Sequence, residues 1–224
     1  MWQEITLWQY QQIVPLTTKP DKDWTELDID VKKLVIITGL TEQQIDSLPI
    51  ENLKKLRREL DFLNEALPEG KPKQYIYANG NRYRVVYDIR KMPCARYIES
   101  KVFSKDHVAN LHKIAASMVI PQRKNWLKRW VDMPYDASNH EQYANDLQMA
   151  KFLDVYYALV FFYHLYRNWI EVSQDYMVEE MMQKGMTKVE ALQVVELLCL
   201  SMDGTIQPNL LPSLKISDLK KYLK

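Results

Sequence analysis

The chain has 224 residues, 30 of them basic and 29 acidic, for a formal net charge of +1. That length suits one domain, or two small ones, with room for a real core. The near-neutral balance argues against a dedicated nucleic-acid binder, and with five glycines and neither nucleotide fingerprint, a Gly-rich phosphate loop is not expected.

The opening Met1-Trp2-Gln3-Glu4 lacks the basic and apolar regions of a secretory leader. Thr6 is placed to cap a short helix through Leu7, Trp8, Tyr10 and Ile13, ended by Pro15. Residues 20–23 read as a loop. Leu27, Val31, Leu34, Val35 and Ile37 then form a helical stripe, and Gly39 suits the position just past its end. Thr41 with Gln44 has the spacing of a capping box. Pro49 can open the next helix, with Leu53, Leu56, Leu60 and Leu63 on one side; Pro68, Gly70 and Pro72 break it.

A hairpin is predicted next. Asn79-Gly80 is a type I′ turn pair between two tyrosine-rich β runs, which sets Tyr77 opposite Arg82, Tyr75 opposite Arg84, and Ile76 opposite Tyr83. One face is apolar; the other is a Tyr/Arg ladder suited to water or a partner. Pro93 ends this region. Ser104 is placed to cap a helix bearing Val108, Leu111, Ile114, Ala115 and Met118, stopped before Pro121. Residues 131–140 read as a loop around Pro134, and one long helical region is expected from about Glu141 to Gln183, closed by Gly185. Thr187 with Glu190 has capping-box spacing and starts a helix through Val189, Leu192, Val195 and Leu198. Gly204, Pro208 and Pro212 mark an irregular segment, and Ser217 is placed to cap a short terminal helix.

The fold class expected is mainly α with a small β-hairpin (α+β), a helical bundle-like body. Residues 1–121 form a helical N-terminal region with the hairpin inserted at about 74–87. Residues 122–224 form a helical C-terminal region, and the two make one compact unit. The longest apolar stretch, Val155 to Leu165, contains His164 and is too short for about 30 Å of hydrocarbon, so no membrane partner is expected.

No catalytic constellation stands out. His107 and His112 are five apart, not the four that put two ligands on one helical face; His140 and His164 are isolated, and no metal is expected. Glu179 and Glu180, with Glu171 and Asp175 upstream, lack a partner histidine and read as a solvated helix face. Cys94 and Cys199 lie far apart with no nucleophile signature, and two lone thiols suit a reducing compartment. No cofactor is implied, and the chain is not expected to be an enzyme.

Two surfaces are candidates for binding. In the first, Tyr75, Tyr77, Arg82 and Arg84 of the hairpin join Tyr156 and Tyr163, which lie on a helix that is apolar nearly all round and needs a second covering surface. The second is the run 123–130, where Arg123, Lys124, Lys128 and Arg129 interleave with Trp126 and Trp130. Charge with stacking suits single-stranded nucleic acid. Equally, Trp126, Leu127 and Trp130 fall on one helical side and can dock into a core while the cations stay wet.

The order of elements carries a resemblance. Ile5 to Gln11, then Ile37-Thr38-Gly39-Leu40-Thr41-Glu42 with Ile45 and Leu48-Pro49, then the hairpin, then Arg96-Tyr97-Ile98-Glu99, then Asn110 to Ala115 and Pro121, resemble small virion and tail-assembly proteins of tailed bacteriophages. The pattern is closest to crAss-like phages and relatives infecting Bacteroidetes, and covers about residues 1–165. The resemblance implies a structural, non-enzymatic role in the virion: a ring or adaptor protein of the neck or tail, oligomeric, meeting other phage structural proteins, and assembled in the bacterial host cytoplasm. A tail-assembly chaperone absent from the mature particle is the first alternative. A single-stranded nucleic-acid-binding accessory protein is the second.

Overall fold

A computed structural model describes residues 2–88, 106–134 and 136–194. Four helices come first: α1 (Leu7–Thr18), α2 (Glu26–Thr38), α3 (Glu42–Asp46) and α4 (Ile50–Arg58), followed by a 3₁₀ turn, Asp61–Asn64. Strands β1 (Tyr75–Ala78) and β2 (Asn81–Val85) follow, then α5 (His107–Ser117), β3 (Val119–Lys124) and β4 (Trp130–Asp132). A 3₁₀ turn, Ala137–Asn139, leads to α6 (His140–Gln148) and the long α7 (Phe152–Gln183), and residues 188–194 are again helical. The chain is mainly helical with one four-stranded antiparallel sheet in the order β1-β2-β3-β4.

Local signals set most helix starts. Thr6 with Gln9, Thr25 with Asp28, and Thr41 with Gln44 each form a complete capping box, and Thr187 exchanges the same bonds with Glu190. The box at Thr25 was not expected. Gly39 closes α2 at φ 72°, a left-handed conformation that glycine adopts without strain. The hairpin register is as expected, Tyr75 opposite Arg84, Ile76 opposite Tyr83 and Tyr77 opposite Arg82, around Asn79 (φ 48°) and Gly80 (φ 76°).

Four expectations need correction. Pro15 does not end α1: it sits inside the helix, which runs to Thr18, so only one backbone donor is lost, near the final turn. Leu60 and Leu63 lie beyond α4, in the turns that follow it. Residues 123–130 are not helical: β3 and β4 form a second hairpin, and the 131–140 loop begins as strand. Pro121 is tolerated in β3 because its backbone faces the end of β4: its carbonyl accepts from Met133 N–H at 2.8 Å, and only the return bond that a proline nitrogen cannot donate is forgone. Finally, the expected single helix from 141 to 183 is two helices, broken at Met149–Lys151. The N-terminal segment causes the break: Leu7 N–H donates to Ala150 O at 2.9 Å, Phe152 N–H donates to Ile5 O at 2.8 Å, and Thr6 bridges Lys151.

The main core lies between the sheet's inner face and α5, α6 and the first half of α7. Ile76, Tyr83, Val85 and Val119 from the sheet meet Ile114, Leu147, Phe152, Val155 and Leu159, with Ile5 and Leu7 closing one end. Phe152 stacks on Tyr10 with centroids 3.8 Å apart. A satellite cluster of Leu34, Ile45 and Leu60 holds α2 to α4, and a third, Val178 with Ala191, ties the far end of α7 to the helix after it. The boundary placed at 121/122 falls within β3. Among the described residues, no helix is long and apolar enough to cross a membrane. Asp106, not Ser104, caps α5; Ser104, Pro93, Cys94, Arg96–Glu99, Val195, Leu198, Cys199, Gly204, Pro208, Pro212 and Ser217 lie outside the described residues.

Candidate functional site

Pairing of four strands fixes what the sheet shows on its outer face. One row runs Tyr77, Arg82, Gln122, Asp132; the next runs Tyr75, Arg84, Ile120; Lys124 faces Trp130 beyond. Arg82 is the hub. Its guanidinium lies over the Tyr75 ring at 4.0 Å and the Trp130 ring at 4.7 Å, and its Nε donates to Gln122 Oε1 at 2.6 Å. Lys124 Nζ sits 5.0 Å from the same indole. Gln122 Nε2 donates to Asp132 Oδ1 at 2.7 Å, and Arg84 grips Asp132 through Nε and through Nη2 at 2.6 Å. The Arg84 guanidinium holds the Asp132 carboxyl below the usual carboxylate range. Both arginines are thus already partnered, and the face is a flat mosaic of aromatic and guanidinium planes. Tyr77 is the most open aromatic on it, at 61 % exposure, while Tyr75 and Trp130 are half-buried.

The structure therefore unites two candidates that were separate in the sequence. Tyr75, Tyr77, Arg82 and Arg84 share one face with Lys124 and Trp130. Gln122 and Asp132, which tie that face together, were missed because 119–132 was not read as strand; Val119-Ile120-Pro121-Gln122-Arg123-Lys124 has no period-two pattern of its own, and burial alternates only once the strand is paired.

Beneath the β1–β2 turn is a buried carboxylate that sequence reasoning also missed. Asp146 on α6 accepts from Asn79 Nδ2 and Asn81 Nδ2, both at 2.8 Å, and from Tyr83 OH at 2.5 Å. Burial, then that bond, pushes the Tyr83 phenol well above its ordinary pKa. The turn is thereby anchored to the helical body, which holds the platform's first two strands in place.

At the other end, the β3–β4 turn projects. Lys128 adopts φ 57°, Asn125 Oδ1 accepts from Arg129 N–H at 2.9 Å, and Lys128 N–H donates to Asn125 O at 2.9 Å. Trp126 at its apex is 89 % exposed and Leu127 49 %, so the expected docking of these side chains into the core does not occur. Arg123, Lys128 and Arg129 are exposed beside them and form no ion pair among the described residues.

Tyr156 and Tyr163 lie away from this surface. Both are partly buried against the main core, Tyr156 beside Phe152 and Tyr163 beside Phe162. Burial raises both phenols, Tyr156 to about 12.

The remaining chemistry is structural. His112 is buried, its Nδ1 3.0 Å from Gln11 Nε2, and burial lowers its pKa. Ser117 Oγ lies 3.2 Å from His140 Nε2, a pairing that invites comparison with a nucleophile and its base. The hydroxyl also lies 3.1 Å from Lys113 O; when it donates there, His140 Nε2 is the donor to Ser117, the reverse of what activation requires. Asp175 and Glu179 are exposed; the side chains of His107 and Glu171 lie outside those described. Among the described residues, no group of three or more His, Cys, Asp or Glu can hold a metal ion.

No family model, no curated protein and no solved structure matches the chain.

Proposed function

We propose that this protein works by docking rather than by catalysis, as a structural component of a tailed-phage virion, a ring or adaptor of the neck or tail. What supports the docking half is the outer sheet face. Tyr, Trp and Arg are the residues enriched where protein interfaces concentrate their energy, and here they are held rigid before any partner arrives. What supports the phage half is the resemblance of residues 1–165. Because Arg82 and Arg84 already have partners, the face offers shape and apolar planes more than free charge, which favours a protein partner over a phosphate backbone.

Mass spectrometry of purified particles tests the placement. Presence at a fixed copy number supports a virion component, and absence from particles by a protein needed to make them supports the tail-assembly chaperone reading. Tyr77→Ala and Arg82→Ala should weaken capture of the partner at least tenfold while leaving circular dichroism unchanged. A second reading, binding of single-stranded nucleic acid, draws on the free cations of the β3–β4 turn; affinity falling steeply with salt is its signature. The protein has no hydrolase, transferase or redox activity in this proposal. Turnover abolished by changing His112 or His140 would overturn that.

A further inference from the structure

The β3–β4 turn and the far end of α7 are opposites in charge and alike in exposing apolar surface. At the turn, Trp126 and Leu127 form the apex and four cations, Arg123, Lys124, Lys128 and Arg129, surround them without one acidic residue in the run. The whole chain carries only +1, so everything outside this run is net negative. The far end of α7 is one place where that negative charge gathers. Asp175 and Glu179 are exposed one turn apart and form no ion pair among the described residues. Met182 continues their stripe and Tyr176, 66 % exposed, borders it. On the helix that follows, Val189 and Leu192, three apart, are exposed as well. Val178, Met177 and Met181 point the other way, onto Ala191, so the acidic stripe is the outer side of this helical pair.

We propose that the β3–β4 turn of one copy docks on the outer side of α7 of a second copy, head to tail. Trp126 and Leu127 lie among Met182 and Tyr176, whose adaptable and aromatic surfaces accept an indole well. Lys128 and Arg129 face Asp175 and Glu179. The two surfaces sit on different parts of the chain, so each copy offers one turn and one arm; used head to tail the contact is heterologous, and repetition closes a ring or extends a filament. A lipid layer or a nucleic-acid strand would use the turn but leave the acidic stripe unexplained; a second copy uses both. The inference rests on the assembly reading and adds to it the partner and the polarity of the contact.

Sedimentation velocity on the full chain, at low and high salt, is the experiment. The wild type should self-associate at low salt and lose association as salt screens the exposed pairs. Lys128→Glu/Arg129→Glu should be monomeric, and so should Asp175→Lys/Glu179→Lys, each with unchanged circular dichroism. An equimolar mixture of the two variants should regain the assembly, because each reversed surface now meets a reversed partner. Trp126→Ser provides a second lesion that the charge swap cannot rescue. The proposal is overturned if the wild type stays monomeric while its turn binds anionic vesicles or a single-stranded oligonucleotide. It is also overturned if the variants assemble like wild type, which would leave the broader assembly reading standing on some other contact.

Discussion

Asp146 is a single side chain on which two elements converge. Its carboxylate takes three neutral donors, two from the β1–β2 turn and one from Tyr83, under cover from water. Removing it strands all three. Asp146→Ala should therefore cost about 3 kcal/mol, and Tyr83→Phe about 1–2 kcal/mol, as read from urea unfolding. Burial of Tyr83, and then the same bond, predict a pH dependence. The folded-state pKa of Tyr83 lies above its unfolded value near 10.0, so the native chain holds that proton more tightly. Stability from this source is complete below pH 10 and declines as pH rises above it, by about 1.4 kcal/mol per unit for one such group. Tyr83→Phe should flatten the alkaline fall in unfolding midpoint; an unchanged slope would place the effect on other phenols, Tyr156 and Tyr163 among them.

At the scale of elements, the first hairpin is set by its turn. Gly80 has φ 76° and open space around it, so Gly80→Val strains the backbone without a clash and should cost about 1–2 kcal/mol in a thermal or urea melt. This turn was legible because Asn-Gly states its geometry in two residues. Capping boxes were legible for the same reason, their cause lying within three residues of their effect. The second hairpin was not. Its turn has no glycine, the left-handed position is taken by Lys128, and an Asn125 side chain replaces a backbone bond; meanwhile Trp126, Leu127 and Trp130 happen to fit a helical period. The candidate face was half legible in consequence: its Tyr/Arg ladder was visible in β1 and β2, whereas Gln122 and Asp132 depend on strands that the pattern disguised. The break between α6 and α7 had no local sign at all, since residues 149–151 contain neither glycine nor proline and the cause lies at Ile5 to Leu7.

Taken whole, the described residues form one principal core and two lesser ones, and Phe152, Tyr156, Tyr157, Phe162 and Tyr163 of α7 belong to the first. Phe152 is fully buried between Tyr10 and Tyr156, so Phe152→Ala should cost about 3–5 kcal/mol. An all-apolar helix surface had suggested that Tyr156 and Tyr163 face a neighbour. Their packing against the core gives a different expectation: Tyr156→Glu or Tyr163→Glu should unfold or strongly destabilise the chain, seen as a collapsed melt, rather than dissociate a folded oligomer. A folded monomer from either substitution would restore the interface reading for that residue.

The strap formed by Ile5, Thr6 and Leu7 at the α6–α7 corner also bears on the order of events in synthesis. The partners of these residues are Ala150, Lys151 and Phe152, which leave the ribosome on the order of ten seconds later at ordinary elongation rates. Through that interval the backbone of Ile5 to Leu7 lacks these partners, and the side chains of Ile5 and Leu7 have only the earlier members of their core cluster to meet. When residue 152 emerges, the returning strap decides whether 140–183 bends at Met149 or continues as one rod. Folding that waits on so distant a contact is slow for a helical protein, and a chain released early would be caught with its corner unmade.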